Sequence, residues 1–230
     1  MIMVLIQEGG KRPRGRPQIR CDEDTRRLIT EAAAKEFQAK GYAAACVADV
    51  AARAGVSTKT LYRLFPAKAD LFREMVSDRI GGFILAIDGK TLDTLGLEAA
   101  FEHILAAFGT FMLQEETIAI NRLVLGECER FPEIAAAFYE MAIERIGNAI
   151  ADWLRIQCER GVIQLDDPQA AAGMLRGMMI MDPQRAVMLG QRAAPGPNEI
   201  LARAKICARI FLEGCRGRIA PLRVPPTHLL

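Results

Sequence analysis

The stretch VADVAARAGVSTKTLYRLFP, residues 47–66, constrains the fold more than any other part of the chain. It spells two helical segments, 47–54 and 58–65, each too short to persist alone in water. Gly55 supplies the residue that a sharp turn needs, Ser57 offers a side-chain cap to the second segment, and Pro66 closes the unit. Val50, Ala51 and Ala54 on the first segment, with Val56, Leu61 and Phe65 around the second, can pack against one another. Two short helices joined by a three- or four-residue turn containing glycine form a helix-turn-helix signature.

A longer helix precedes the pair. It is expected to begin near Asp24, with Asp22, Glu23 and Asp24 supplying a cap and negative charge at the positive end of the helix dipole. Leu28, Ile29, Ala32, Ala33, Glu36 and Phe37 then recur at helical spacing, and Gly41 ends the run. After Pro66 a connecting helix spans 67–87, with Gly81-Gly82 as its weak point. A loop follows near DGKTLDTLG. Further helices are expected over 97–113, 116–130, 132–160, 168–181 and 199–214, the fourth continuing after a break at Asp182-Pro183. Sustained alternation of apolar and polar residues is absent, and Ala, Leu, Ile and Met dominate a 51% hydrophobic chain, so the fold class is all-α. The domains expected are a basic arm over 1–21, a helix-turn-helix domain over 22–70, a helical sensing and dimerisation domain over 71–216, and a proline-rich tail over 217–230.

The net charge of +2 does not by itself suggest a nucleic-acid partner, but its distribution does. Residues 11–20, KRPRGRPQIR, carry five positive charges and no negative one. The six cysteines form no C-x-x-C pair and have only His103 and His228 beside them, which disfavours a zinc site. Four of them fall in helical apolar patterns that suit reduced thiols in a cytoplasmic protein. The opening MIMVLI lacks a basic leader and is too short for a signal peptide or a membrane span. GKT at 89–91 is not a phosphate loop, because Ile84 stands where the earlier glycine would be. With no nucleophile elbow and few acid–base candidates, an enzyme is not expected, nor is any cofactor.

The run EFQAKGYAAACVADVAARAGVSTKTLYRLFPAKADLF, residues 36–72, resembles the N-terminal DNA-binding region of TetR/AcrR-family transcriptional regulators. The resemblance rests on Phe37, Gly41-Tyr42, Val47, Val50-Ala51, Ala54-Gly55-Val56-Ser57, Leu61-Tyr62, Phe65, Lys68 and Leu71. Ala45 and Cys46 stand where the family usually has Thr or Ser, Lys59 where Gly is common, and Leu64 where His or Tyr is frequent. RLVLGECERFPEIAAAFYE, residues 122–140, resembles the C-terminal region of the AefR-like subgroup.

A helix of this kind enters the major groove and meets base edges with its first turn. Lys59 can donate to guanine O6 or N7, and the methyl groups of Thr58 and Thr60 can touch thymine methyls. Tyr62 and Arg63 can reach phosphates, Arg63 alternatively a base, while Lys68 offers its charge and the free amides of a helix start to the DNA backbone. Upstream, the core Arg14-Gly15-Arg16-Pro17 looks like an AT-hook. Flanking prolines keep it extended, and the two arginines can lie in a narrow minor groove.

The resemblance further implies a ligand-sensing, dimeric C-terminal domain. Phe108, Phe111, Met112, Phe138, Met141 and Trp153 are the candidate lining of a cavity for an apolar or amphipathic small molecule. The segments 168–181 and 199–214 are where the family builds a four-helix dimer interface, for which Ala172, Arg176, Ala204, Cys207 and Phe211 are the candidates. The function implied is a homodimeric, ligand-responsive repressor of a palindromic double-stranded DNA operator. The alternative is a regulator switched by oxidation of its cysteines, with Arg130 beside Cys128 and Arg216 beside Cys215 as the only activating neighbours.

Overall fold

The computed structural model describes residues 21–216; the expected arm residues Arg14, Gly15 and Arg16 and the tail lie outside them. All regular secondary structure among the described residues is helical, in the order α1 (Asp22–Ala44), α2 (Val47–Ala54), α3 (Thr58–Leu64), α4 (Lys68–Ala86), α5 (Gly89–Leu92), α6 (Leu97–Leu113), α7 (Glu115–Glu127), α8 (Pro132–Phe138), a π-helical segment (Tyr139–Glu144), α9 (Arg145–Glu159), α10 (Pro168–Met188) and α11 (Pro197–Arg216).

The N-terminal unit packs α1 over α2 and α3. Ile29, Ala33 and Phe37 of α1 meet Val50, Ala51 and Ala54 of α2 and Leu61, Leu64 and Phe65 at α3, all buried. α1 begins at Asp22, two residues before the expected start, because Cys21 rather than an aspartate is its N-cap. The Cys21 sulfur accepts from the Asp24 amide at 3.4 Å, which leaves all three acids inside the first turn. Glu36 is fully buried in this unit, bridged to Lys40 and Arg53, while Lys40 also reaches Asp49 at 2.8 Å. These ion pairs tie α1 to α2. Hydrogen bonding to Asp49, then to Glu36, pushes the Lys40 ammonium above its ordinary range.

α4 runs unbroken through Gly81-Gly82 and joins the two halves of the molecule. Its N-terminal Leu71 and Phe72 lie in one continuous core with Phe37 and Tyr42, and its Ile80 and Phe83 lie in the same core beside Phe108 of α6. The loop expected after it contains the single helical turn α5. His103 on α6 hydrogen-bonds the Ala86 carbonyl at 2.8 Å and so satisfies the last turn of α4. α6 is packed by α4, α7, α10 and α11.

Two helices depart from the sequence reading. The helix expected over 132–160 contains a π-helical turn at Tyr139–Glu144, a feature common where a helix borders a functional site. The helix expected to break at Asp182-Pro183 continues through Pro183 to Met188. Proline removes the amide that would bond the Met179 carbonyl. Arg203 of α11 replaces that donor: its Nε donates to Met179 O at 2.7 Å and its Nη2 to Met178 O at 2.8 Å. A side chain from another helix therefore satisfies the carbonyl that the proline leaves without its partner.

Candidate nucleic-acid interface and ligand cavity

The turn before α3 is built as its residues demand. Gly55 takes φ +67° and ψ 34°, and the Ser57 hydroxyl accepts from the Thr60 amide at 3.1 Å. Cys46, by contrast, makes no side-chain cap for α2. Burial of Leu61 and Leu64 turns the opposite face of α3 outward. Thr58 and Lys59 are exposed, and Tyr62 is 51% exposed despite its aromatic ring. Lys59 and Tyr62 have no hydrogen bond or ion pair with the described residues. Thr60 is half-buried, and its hydroxyl lies 2.9 Å from Ser57 Oγ, so it serves the cap as well as the surface.

Two candidate contacts sit differently from the sequence reading. Arg63 is exposed but forks onto Asp22 at 2.7 and 2.8 Å, which lowers the Asp22 carboxyl and raises the guanidinium. The pair fixes Arg63 beside the first residue of α1. Lys68 is not free to offer its charge: its ammonium donates to the Tyr42 carbonyl and to that of Ala43 at 3.4 Å, and lies 4.6 Å from the Tyr42 ring centroid. Burial lowers its pKa. The unpaired carbonyls in the last turn of α1 attract the cation. The Ala67 amide is taken as well, by Asp70 at 3.0 Å, so it is not open to a phosphate.

Behind this surface lies a joint that sequence reading missed. Gly41 has φ +77°, ψ 171°, and the chain just after it presents two amides to one carboxylate. Glu127, at the end of α7, accepts from Tyr42 N at 2.8 Å and Ala43 N at 2.7 Å. The Tyr42 ring is buried between Phe37, Phe72 and Phe131 at centroid distances of 5.5, 5.8 and 5.2 Å. Burial first, then the charge of Glu133 and a hydrogen bond to it, pushes the Tyr42 phenol from 10.0 up to about 12. A raised phenol pKa favours the protonated, folded form. Its contribution is complete below pH 10 and is lost as pH rises through about 12. Stability measured by denaturant titration should thus fall more steeply between these limits in the parent protein than in Tyr42→Phe. Parallel curves would remove Tyr42 from the account.

The C-terminal half encloses a cavity of about 320 Å³ between α4, α6, α7, α10 and the α8–π–α9 run. Four of the expected lining residues are there: Phe108, Phe111, Met112 and Phe138. Two are not. Trp153 stacks edge-on against Phe101 at 4.8 Å, and Met141 packs against the general core. The π-helical segment supplies Ala142 and Ile143 to the wall. Most of the lining is apolar, with Arg79, Thr117, Asn121, Arg176 and Gln184 as the polar exceptions.

Arg176, a candidate for the subunit interface, lines the cavity. Of the other interface candidates, three are buried within the chain and Phe211 is half-buried. Ala172 and Ala204 are fully buried, Cys207 is buried, and Phe211 lies 5.4 Å from Phe101. The small residues do permit close helix approach, but to α6 and α9 of the same chain. What α10 and α11 leave outside is a different set: Met174, Met181, Leu201, Ile206 and Ile210, the last two 50% and 52% exposed one turn apart.

Among the described side chains, which do not include those of Cys215 and Arg216, no redox centre emerges around the cysteines. Arg130 stacks 5.2 Å over the Phe131 ring, and the Cys128 thiol donates to a backbone carbonyl at 3.6 Å. No helix among the described residues is long and apolar enough to cross a membrane.

With this geometry established, comparison places the chain among known proteins. Residues 29–75 match the family model of bacterial regulatory proteins, tetR family. Residues 99–214, half of the chain, match that of the AefR-like transcriptional repressor C-terminal domain. The fold resembles the crystal structure of a TetR-family transcriptional regulator from Mesorhizobium loti MAFF303099 at 26% identity, with 84% of this chain and 97% of that one covered and a TM-score of 0.73. It resembles the flavonoid-responsive regulator FrrA at 24% identity, 85% and 99% coverage and a TM-score of 0.71. It also resembles FadR from Bacillus subtilis in complex with stearoyl-CoA at 19% identity, 82% and 98% coverage and a TM-score of 0.64. Comparison with curated proteins gives no match.

Proposed function

The chain belongs to the TetR family of transcriptional regulators, with an AefR-like C-terminal domain, and on that premise we propose that it is a cytoplasmic homodimeric repressor released from a palindromic operator by a small amphipathic effector. The family is one of regulators, not enzymes. The observation that carries the reading is the shared use of α4 and α7. Both helices line the cavity, through Val76, Arg79 and Ile80 on α4 and Thr117, Ile120 and Asn121 on α7. Both also grip the DNA-binding unit, α4 through Phe72 in its core and α7 through Glu127 on the 42–43 amides.

A ligand acts in such a molecule only through its differential affinity for two arrangements. One that prefers a different spacing of α4 and α7 moves the unit bearing Thr58, Lys59, Thr60 and Tyr62, and two such units then no longer match one turn of DNA. Arg63 takes part as a positioner of the arm root, and the arm residues Arg14, Gly15 and Arg16 add minor-groove contacts. The exposed Met174, Met181, Leu201, Ile206 and Ile210 supply the self-complementary apolar face that a two-fold dimer requires. The fold relatives that respond to a flavonoid and hold stearoyl-CoA support a largely apolar effector.

Selection from a pool of random duplexes tests the reading. The purified protein should sediment as a dimer and enrich an inverted repeat with half-site centres about 34–36 Å apart. A monomer without preference among duplexes refutes it.

A further inference from the structure

The apolar wall of the cavity would accept almost any hydrocarbon, so its polar groups decide what binds. Their pattern is one-sided. Arg79 is largely buried and donates through Nη2 to Glu116 at 3.3 Å, but its Nε is buried with no protein acceptor. The Gln184 amide nitrogen is buried in the same condition. Arg176 donates to two backbone carbonyls, Ile143 O at 3.2 Å and Ala172 O at 3.4 Å, and has no carboxylate partner among the described residues. Desolvation lowers the pKa of both guanidiniums, the mark of charge held in a poorly solvated place. Among the described residues, no aspartate or glutamate lines the cavity. Of the two guanidiniums only that of Arg79 has a carboxylate, Glu116, and the two buried polar atoms of the lining that lack a partner, Arg79 Nε and Gln184 Nε2, are both donors.

Buried donors and charges in folded proteins are normally partnered. Here what would complete them is an acceptor carrying negative charge at the edge of a hydrocarbon body. We infer that the effector is a carboxylate-bearing amphiphile, its hydrocarbon against Phe108, Phe111 and Phe138 and its carboxylate taken by the unpaired donors of Arg79, Arg176 and Gln184. This rests on the cavity being the effector site of the proposed regulator. A guanidinium suits such a ligand because its fork matches the two oxygens of a carboxylate. A cationic amphiphile is repelled by the same pair.

The test compares matched probes on the full chain. Decanoate is measured against decan-1-ol and 2-naphthoate against 2-naphthalenemethanol by calorimetry, the two arms separating a chain from a ring as the hydrocarbon. At least one carboxylate should bind tenfold or more tightly than its alcohol. That preference should fall tenfold in Arg79→Met or Arg176→Met, with Arg79→Lys retaining part of it. Gln184→Leu serves as a milder variant should the arginine changes disturb folding. Alcohols binding as tightly as their carboxylates, or neither carboxylate binding a protein that still binds its selected duplex, overturns the ligand class and leaves the DNA-binding reading intact. Tight carboxylate binding with no release of the duplex upholds the ligand class and instead removes the regulatory reading.

Discussion

Replacing Lys59 and Tyr62 together by alanine is expected to lower affinity for the selected duplex by at least about 100-fold while leaving the melting temperature within about 2 °C of the parent. Both side chains stand on the outward face of α3, and neither has a hydrogen bond or ion pair with the described residues. Their removal therefore leaves no buried donor behind, and surface changes of that kind usually shift stability by no more than about 0.5 kcal/mol. Binding is different. A base-reading side chain is worth about 1–3 kcal/mol, and a two-fold dimer would lose it twice. Two decades correspond to about 2.7 kcal/mol, the lower part of the doubled range of about 2–6 kcal/mol. The two residues should also separate. Lys59→Ala alone should relax discrimination at one position of each half-site, whereas Tyr62→Ala should weaken all duplexes alike and spare the ranking. Competition binding at fixed salt reads both effects. A double variant that binds its duplex as the parent does would show that α3 does not read DNA.

That α3 is legible in the sequence, and the joint behind it is not, follows from the range of the forces involved. Gly55 and Ser57 answer local demands, a positive φ and an orphan amide three residues on, and both demands are written within a few residues of the answer. The buried faces of α1 to α4 follow from a 3.6-residue period in the same way. Charged side chains choose partners by three-dimensional proximity instead. Lys68 turns to carbonyls 25 and 26 residues earlier, Arg63 to a carboxylate 41 residues earlier, and Glu127 to amides 84 and 85 residues earlier. Pro183 misleads for the same reason. The local rule says break, and only Arg203, twenty positions on, reverses it. Ala172 and Ala204 announce close packing without naming the neighbour, and a period of 3.6 does not forewarn of the π-helical turn that shapes the cavity wall.

The joint itself makes the second large prediction. Gly41 lies at φ +77°, ψ 171°, a region nearly closed to residues with a Cβ, and a Cβ built there would stand 2.7 Å from Glu127 Oε1. Gly41→Ala should therefore cost about 1–3 kcal/mol in backbone strain. It should also cost about 1–2 kcal/mol more as the carboxylate is driven off at least one of its two amides, a half-exposed contact worth less than a buried one. For a domain of this size that total corresponds to a melting temperature lower by roughly 5–15 °C. Glu127→Ala alone keeps the glycine unstrained and should cost about 1–2 kcal/mol for the same pair of amides. The double variant decides between contact and coincidence. If the methyl group and the carboxylate compete for one space, the double variant loses the amide contacts only once. It should then lie about 1 kcal/mol or more above the sum of the single variants, whereas independent sites add to within about 0.5 kcal/mol. Function should follow the same joint. Glu127→Ala loosens α7 from the 42–43 turn without touching the cavity or α3. Duplex affinity should hold while the effector concentration needed for release rises several-fold, and an unchanged release curve would leave α4 as the sole carrier of the signal.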